Sequence, residues 1–438
     1  MERAKLIVKN FGPLKDIEIE VREMVTFIGA QASGKSTLAK LLSIFEDDNF
    51  RKDDSVSFID ELKKYNIHSY LNPTTYISFD NINYLEKSPF NLKYEDGLFT
   101  KATAQRFLSV IKAFKNKQKE KLQQTIKVSV GGDLFDCYSY NDKLFTNFFF
   151  NESQKNKFTS SFKKEKITSI TFIEIVLNAL DKDQTVENYI DLLEKCIEFF
   201  HLFYLSDSLY IPAERNFLHL IAENTLGLIN NNVQIPKHLL NSGQDYEKAI
   251  QTIKELPLTI IDKKLKYKRE GKSSYIYHAE NEKVDLLESA SGLQSIIPIL
   301  LLVEYSKSLK DEYNFNFVVE EPELNLYPKA QHELIKYLVK NCLLERKNLI
   351  LTTHSPFVLA SINNLLLAYD KGLIKPKEVN KIIKKDSWLN PKNFIAYQLK
   401  NGKAYKIMDD KLGQIKENMI DTISDDFSNE FDKLLDLW

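Results

Sequence analysis

The chain has 438 residues, 43% of them hydrophobic and 28% charged, with 60 Lys and Arg against 61 Asp and Glu. That is apolar material enough for one large domain or two to three ordinary ones. A formal charge of -1 excludes a protein that coats nucleic acid by bulk positive charge. Cys137, Cys196 and Cys342 stand far apart, so they suggest neither a disulfide framework nor a Cys-rich zinc site, and they suit a reducing compartment. Met1–Asn10 alternates like a strand and shows no signal-peptide pattern. The longest apolar run, Ile296–Val303, contains Pro298 and falls short of the roughly 20 residues of a membrane span. A cytoplasmic protein without membrane contact is expected.

In chain order, Lys5–Lys9 and Ile17–Val21 read as strands around the turn Phe11-Gly12-Pro13. An apolar strand, Met24–Ile28, leads into Gly29-Ala30-Gln31-Ala32-Ser33-Gly34-Lys35-Ser36-Thr37 and then a helical pattern, Leu38–Phe45. The loop satisfies G-x-x-x-x-G-K-[ST] between a strand and a helix, the context that gives the motif meaning. Its glycines let backbone N–H groups converge on phosphate oxygens, Lys35 supplies a charge at the β- and γ-phosphates, and the Ser36 hydroxyl suits Mg²⁺.

Asn72–Tyr84 reads as strand. Thr100–Lys127 reads as a helical, basic stretch with Lys112, Lys115, Lys117, Lys119, Lys121 and Lys127. Its lysines suit either a solvated face or contact with nucleic acid or an acidic partner. Short strands over Lys127–Phe150 give way to an amphipathic helical region from about Thr168, with Val186, Ile190, Leu193, Ile197, Phe200 and Tyr204 on one face.

Ser208–Pro212 is a strand followed by helix to about Lys254, and Leu258–Tyr277 reads as a hairpin around Gly271. Ser289-Ala290-Ser291-Gly292-Leu293-Gln294-Ser295 precedes the helical run Ile296–Leu309. Ser and Gly there suit an ordinary helix start, and equally an anion site at its free N–H groups. The strand Phe315–Val319 ends in Glu320-Glu321-Pro322-Glu323, which sets carboxylates at the carboxyl edge of a sheet, where ligands bind. Glu320 is placed to hold Mg²⁺ through water, and Glu321 to polarise an attacking water. A helix starts near Pro328. The strand Leu349–Thr352 then brings His354 to the next sheet edge, within reach of a γ-phosphate or the attacking water. Strands around Asn401-Gly402 and an acidic helix close the reading.

These motifs, in this order, resemble the ABC-type ATPase head, specifically its SMC/RecF/OLD-like branch. The resemblance covers about residues 1–100 and 205–400. By motif, Gly29–Thr37 corresponds to Walker A and Glu320-Glu321 to Walker B, with Glu320 in place of the usual Asp. Ala290–Gln294 corresponds to the Leu-Ser-Gly-Gly-Gln signature, with Leu293 in place of its second Gly. Pro322–Leu326 falls at the D-loop and His354 at the switch histidine, while Gln105 is a Q-loop candidate by position alone.

The resemblance implies an α/β fold: a P-loop NTPase head with a mixed central sheet and an antiparallel β lobe. Residues 1–100 and 206–400 would form the head, 101–205 an inserted, mainly helical arm, and 401–438 an acidic tail. It implies ATP and Mg²⁺ as cofactors, with Glu321 and His354 catalytic. It also implies a homodimer or higher homo-oligomer in which Ser291, Gly292 and Gln294 of one subunit face nucleotide held by the other.

Tyr210-Ile211-Pro212-Ala213-Glu214-Arg215 resembles a segment of OLD-like ATPases. Arg215 there sits either near nucleotide or the dimer seam, or pairs with a carboxylate for structure. OLD proteins add a TOPRIM nuclease, for which the stretch after His354 is too short. The chain therefore resembles the ATPase subunits of two-gene antiphage systems such as PARIS and Septu, which act as sensor or scaffold for a separate nuclease or toxin and answer a phage-derived trigger. A RecF/SMC-like ATPase acting directly on DNA is the alternative. A P-loop kinase is the third reading, disfavoured because kinases need neither His354 nor the signature.

Overall fold

In the computed structural model the described residues are 4–47, 49–50, 55–80, 91–102, 207–223, 235–309, 315–343 and 348–437. The expected segments from residue 103 to 206, with Gln105 and Lys112–Lys127, lie outside them.

The first described residues form an antiparallel pair, β1 (Ala4–Phe11) and β2 (Leu14–Val21), followed by β3 (Met24–Gly29), α1 (Lys35–Glu46) and α2 (Phe58–Lys64). β4 (Tyr76–Asp80) joins β1, and a hairpin of β5 (Asn91–Glu95) and β6 (Leu98–Ala102) extends that edge. The helical pattern expected from Thr100 thus begins in strand, because Asp96-Gly97 turns the chain with both residues at positive φ.

After β7 (Asp207–Ile211) come α3 (Lys237–Thr252) and a small antiparallel sheet of β8 (Glu255–Pro257), β9 (Lys266–Glu270), β10 (Ser273–Ala279) and β11 (Glu282–Asp285). β9 and β10 are the expected hairpin around Gly271. Leu258–Asp262, expected as strand, instead closes a turn through Ile261 N–H and Asp262 N–H to Leu258 O. Then follow α4 (Ser291–Ser308), β12 (Phe315–Glu320), α5 (Pro328–Cys342), β13 (Asn348–Thr353), α6 (Pro356–Gly372) and α7 (Pro376–Ile382). The hairpin β14 (Phe394–Lys400) and β15 (Lys403–Lys406) precedes α8 (Met419–Leu435).

Among the described residues eleven strands make the main sheet, in the order β6-β5-β4-β1-β2-β15-β14-β3-β13-β12-β7. From β14 to β7 all neighbours are parallel, whereas β1, β2, β4, β5 and β6 pair antiparallel. The fold is α/β with a mixed sheet and an antiparallel lobe, as expected. Burial follows the two regimes. Every residue of β3, β12 and β13 is buried, as parallel strands covered on both faces require, while β1 and β2 alternate. The β14–β15 hairpin straddles the boundary drawn at residue 400, with β14 lying against β3 inside the sheet.

Candidate functional site

The parallel strands β3, β12 and β13 end side by side, and the candidate residues stand just beyond them. β3 ends at Gly29, whose φ is 156°; a Cβ there would stand 2.7 Å from Leu399 O. Gly34 caps α1 with φ 100°, where a side chain would strike Leu14, 2.4 Å away. Ala32 is also left-handed, at φ 59°. This backbone folds the loop tightly enough that Lys35 Nζ donates to Gly29 O and Ala30 O, both at 2.9 Å. Lys35 is buried and its ammonium titrates below its ordinary value through desolvation, opposed by the charges of Glu321, Glu323 and Glu320. Ala30, Gln31, Ala32 and Ser36 are exposed, Ser33 half-buried and Thr37 buried.

The end of β12 supplies the carboxylates. Glu320 is buried, and burial pushes its carboxyl up; the charge of Lys40 and the hydroxyls of Ser36 and Tyr210 act in the opposite direction. Among the described residues its Oε1 has no hydrogen bond of normal geometry. Glu321 follows at φ 42°, strained for a residue with a side chain, and is held there by its N–H to Thr352 O (2.9 Å). That turn brings Glu321 Oε1 to 3.6 Å from His354 Nε2. Desolvation lowers the His354 pKa and Lys35 lowers it further, against a raising effect from Glu321.

Glu323, to which the sequence assigned no role, is buried and its carboxyl titrates high through desolvation. Its Oε1 accepts from Thr353 Oγ1 (2.8 Å) and His354 N–H (2.7 Å), fixing the backbone that carries the histidine, while Oε2 has no partner among the described residues. Lys35, Ser36, Glu320, Glu321 and His354 are therefore brought together electrostatically at one sheet edge.

The sequence left Arg215 between a place near nucleotide or the dimer seam and a structural pairing with a carboxylate. It is fully buried and pairs with carbonyls, not with a carboxylate. Its Nε donates to Ser295 O (2.9 Å), one terminal nitrogen to Glu320 O (2.8 Å) and Pro212 O (3.3 Å), and the other to Glu321 O (2.8 Å). Burial lowers its pKa to about 10. One guanidinium thus joins the start of α4 to the backbone of both adjacent glutamates.

A second contact reaches the same turn of α4. Pro298 has no N–H to give Gln294 O one turn back, and His219 Nε2 takes that carbonyl instead at 3.0 Å. A carbonyl only accepts, so Nε2 carries the hydrogen and His219 Nδ1 accepts the Tyr246 hydroxyl at 2.6 Å.

The signature segment is the first turn of α4 itself, not a loop before it. Ala290 takes the cap position without a side-chain cap, and Ser291 is exposed. The Gln294 amide donates to Leu287 O and Ser289 O, both at 2.9 Å, within its own chain. Gly292 has an internal reason to be glycine: a Cβ there would stand 2.7 Å from Asn325 O.

The residues present fit ATP with Mg²⁺. The glycine loop opens backbone N–H groups at the start of α1, three carboxylates act on Lys35, and Glu320 Oε1 is a buried acceptor with no hydrogen bond of normal geometry among the described residues. No set of three or more His, Cys, Asp or Glu among the described residues makes a metal cage alone. Mg²⁺ in nucleotide sites takes one or two protein ligands and completes its shell with phosphate and water. Ser36 and Glu320 would hold it, and it would neutralise phosphate charge.

A family model described as "AAA ATPase domain" matches residues 1–359. The chain belongs to the AAA ATPase domain family. No curated protein matches its sequence significantly. Among solved structures, the ATPase domain is similar to the Smc head domain of Pyrococcus furiosus bound to the C-terminal domain of ScpA. Identity is 11% over 93% of this chain and 96% of that one, with a TM-score of 0.33. The SMC head domain of Thermotoga maritima gives 11% identity, 93% and 98% coverage and a TM-score of 0.33. Overlap at this level carries no functional weight. No described helix is long and apolar enough to cross a membrane.

Proposed function

We propose that this ATPase domain binds ATP with Mg²⁺ on residues 29–37 and hydrolyses it. Glu321 orients the attacking water, His354 contacts the terminal phosphate, and Glu320 with Ser36 holds the cation. The observation that carries this reading is the set of chemically distinct groups at the end of β12. Buried Glu320 has an unsatisfied oxygen, and next to it the strained turn of Glu321 presents its carboxylate to His354.

The uncapped first turn of α4 supports the second element of the proposal. Ser291 and Gly292 of one copy complete the nucleotide site of another, so ATP pairs the subunits. Pairing then signals to a separate effector, a nuclease or toxin, in antiphage defence, with a phage-derived molecule as trigger. Support for that last element is the resemblance of the motifs and their order.

Glu321→Gln tests the chemistry. It should retain ATP, lose at least about a hundredfold in turnover, and accumulate as an ATP-bound pair in light scattering. Normal turnover in this variant, or no pairing in the presence of ATP, overturns the respective element. Phage plating of cells carrying this gene with its neighbour, against the same pair with Lys35→Ala, tests the defence role; equal plating overturns it.

A further inference from the structure

Two exposed surfaces of the chain are mutually complementary. α8 carries Ile423, Phe427, Phe431 and Leu434 at spacings of three and four, one apolar stripe along a helix about 25 Å long. The stripe is open to solvent, with Phe427 66% and Phe431 61% exposed. Its polar arc is acidic: Asp425, Asp426, Glu430, Asp432 and Asp436 form no ion pair among the described residues. An Asn418–Asp421 capping box fixes the start of the helix, and Met419 N–H donates to Gln398 on β14, so α8 is anchored to the main sheet at one end.

The corner between α6 and α7 has the opposite character. Leu373, Ile374 and Ile382 are 71%, 73% and 81% exposed. Around them Lys375, Lys377, Lys381, Lys384 and Lys385 form no ion pair among the described residues. Five acids beside an apolar stripe are thus matched in number and opposite in sign to five lysines around an apolar knob. Exposed apolar residues in contiguous sets of this kind mark interaction surfaces, and opposite charge steers and registers them.

We infer that α8 of one copy docks on the α6–α7 corner of a second copy, a contact between unlike patches that does not use the nucleotide site. It goes beyond ATP-driven pairing and is tested without nucleotide, in full-length Lys35→Ala protein, so its failure leaves the nucleotide reading intact.

Sedimentation velocity across a concentration series at low salt should show self-association that weakens on adding salt. Phe427→Glu/Phe431→Glu should weaken it at least about tenfold, with circular dichroism unchanged because both rings already face solvent. Lys377→Glu/Lys381→Glu and, separately, Asp425→Lys/Asp432→Lys should each weaken it. Mixing these two charge-reversed proteins should restore association between them. A chain that stays single at all concentrations overturns the inference. So does association indifferent to the Phe427 and Phe431 changes, or charge-reversed proteins that fail to recover on mixing.

Discussion

Arg215→Lys keeps a cation while removing the fork that reaches four carbonyls. An ammonium has three donors at a single point, so it cannot serve Ser295 O on one side and Glu320 O and Glu321 O on the other. Losing two charge-assisted hydrogen bonds in a buried site costs about 1.5–3 kcal/mol each. Partial relaxation brings the expected destabilisation to about 3 kcal/mol, a fall of several degrees in Tm. The burial that holds the guanidinium near 10 acts equally on a lysine, whose ordinary value is about 10.4. The substituted amine therefore holds its proton less tightly in the folded than in the unfolded chain, and the stability defect should shrink as pH rises from 7 to 9.

The second consequence is kinetic. With the backbone of Glu320 and Glu321 released, turnover should fall at least about tenfold while ATP affinity changes little, because positioning errors act on the chemical step. Thermal unfolding, equilibrium nucleotide binding and single-turnover hydrolysis of the variant at both pH values make the assay. Wild-type Tm and wild-type turnover together would refute the idea that this guanidinium holds α4 to the end of β12.

Lys35→Ala should abolish ATP binding, read by equilibrium fluorescence of a labelled nucleotide, and lower the unfolding midpoint by a few degrees, because Gly29 O and Ala30 O lose their donor. Gly292→Ala should cost about 1–3 kcal/mol, because its methyl would meet Asn325 O at 2.7 Å, and turnover should fall with it. His219 sets an acid limit. Its folded pKa, lowered by burial to about 4 from 6.5, means that between these values the unfolded chain binds a proton the folded chain does not. This contribution is complete above pH 6.5 and is lost as pH falls toward 4, about 2 kcal/mol of it by pH 5. Urea midpoints of wild type at pH 7 and pH 5 should show that loss, and His219→Gln, which keeps both hydrogen bonds without titrating, should lack it.

Sequence exposed the elements whose residues declare their surroundings. β3, β12 and β13 are continuous apolar runs because both sheet faces are covered, and each ends in residues whose chemistry is visible in the one-letter string. The position of β14 was not legible, since nothing in Phe394–Lys400 says that its partner is β3, more than three hundred residues earlier in the chain. The β5–β6 hairpin was hidden by the lysine-rich pattern that begins within it. Arg215 was visible as a residue but not in its role, because its partners are backbone carbonyls, which every residue possesses. Pro298 likewise read as an interruption of an apolar run, whereas its effect falls on Gln294 and, through that carbonyl, on His219.

The neighbours of β3 set the order of events during synthesis. β3 is made within the first thirty residues, yet its hydrogen-bonding partners are β13 at Asn348–Thr353 and β14 at Phe394–Lys400. Until those emerge from the ribosome, the strand carrying the glycine loop is a buried-type apolar segment with both edges open, a template for wrong pairing. Closing contacts of such sequence separation is slow. The loop's geometry, down to Gly29 against Leu399 O, is therefore among the last features to form. Nascent chains stalled before residue 400 should depend on chaperones and fail to hold nucleotide, however intact their first fifty residues.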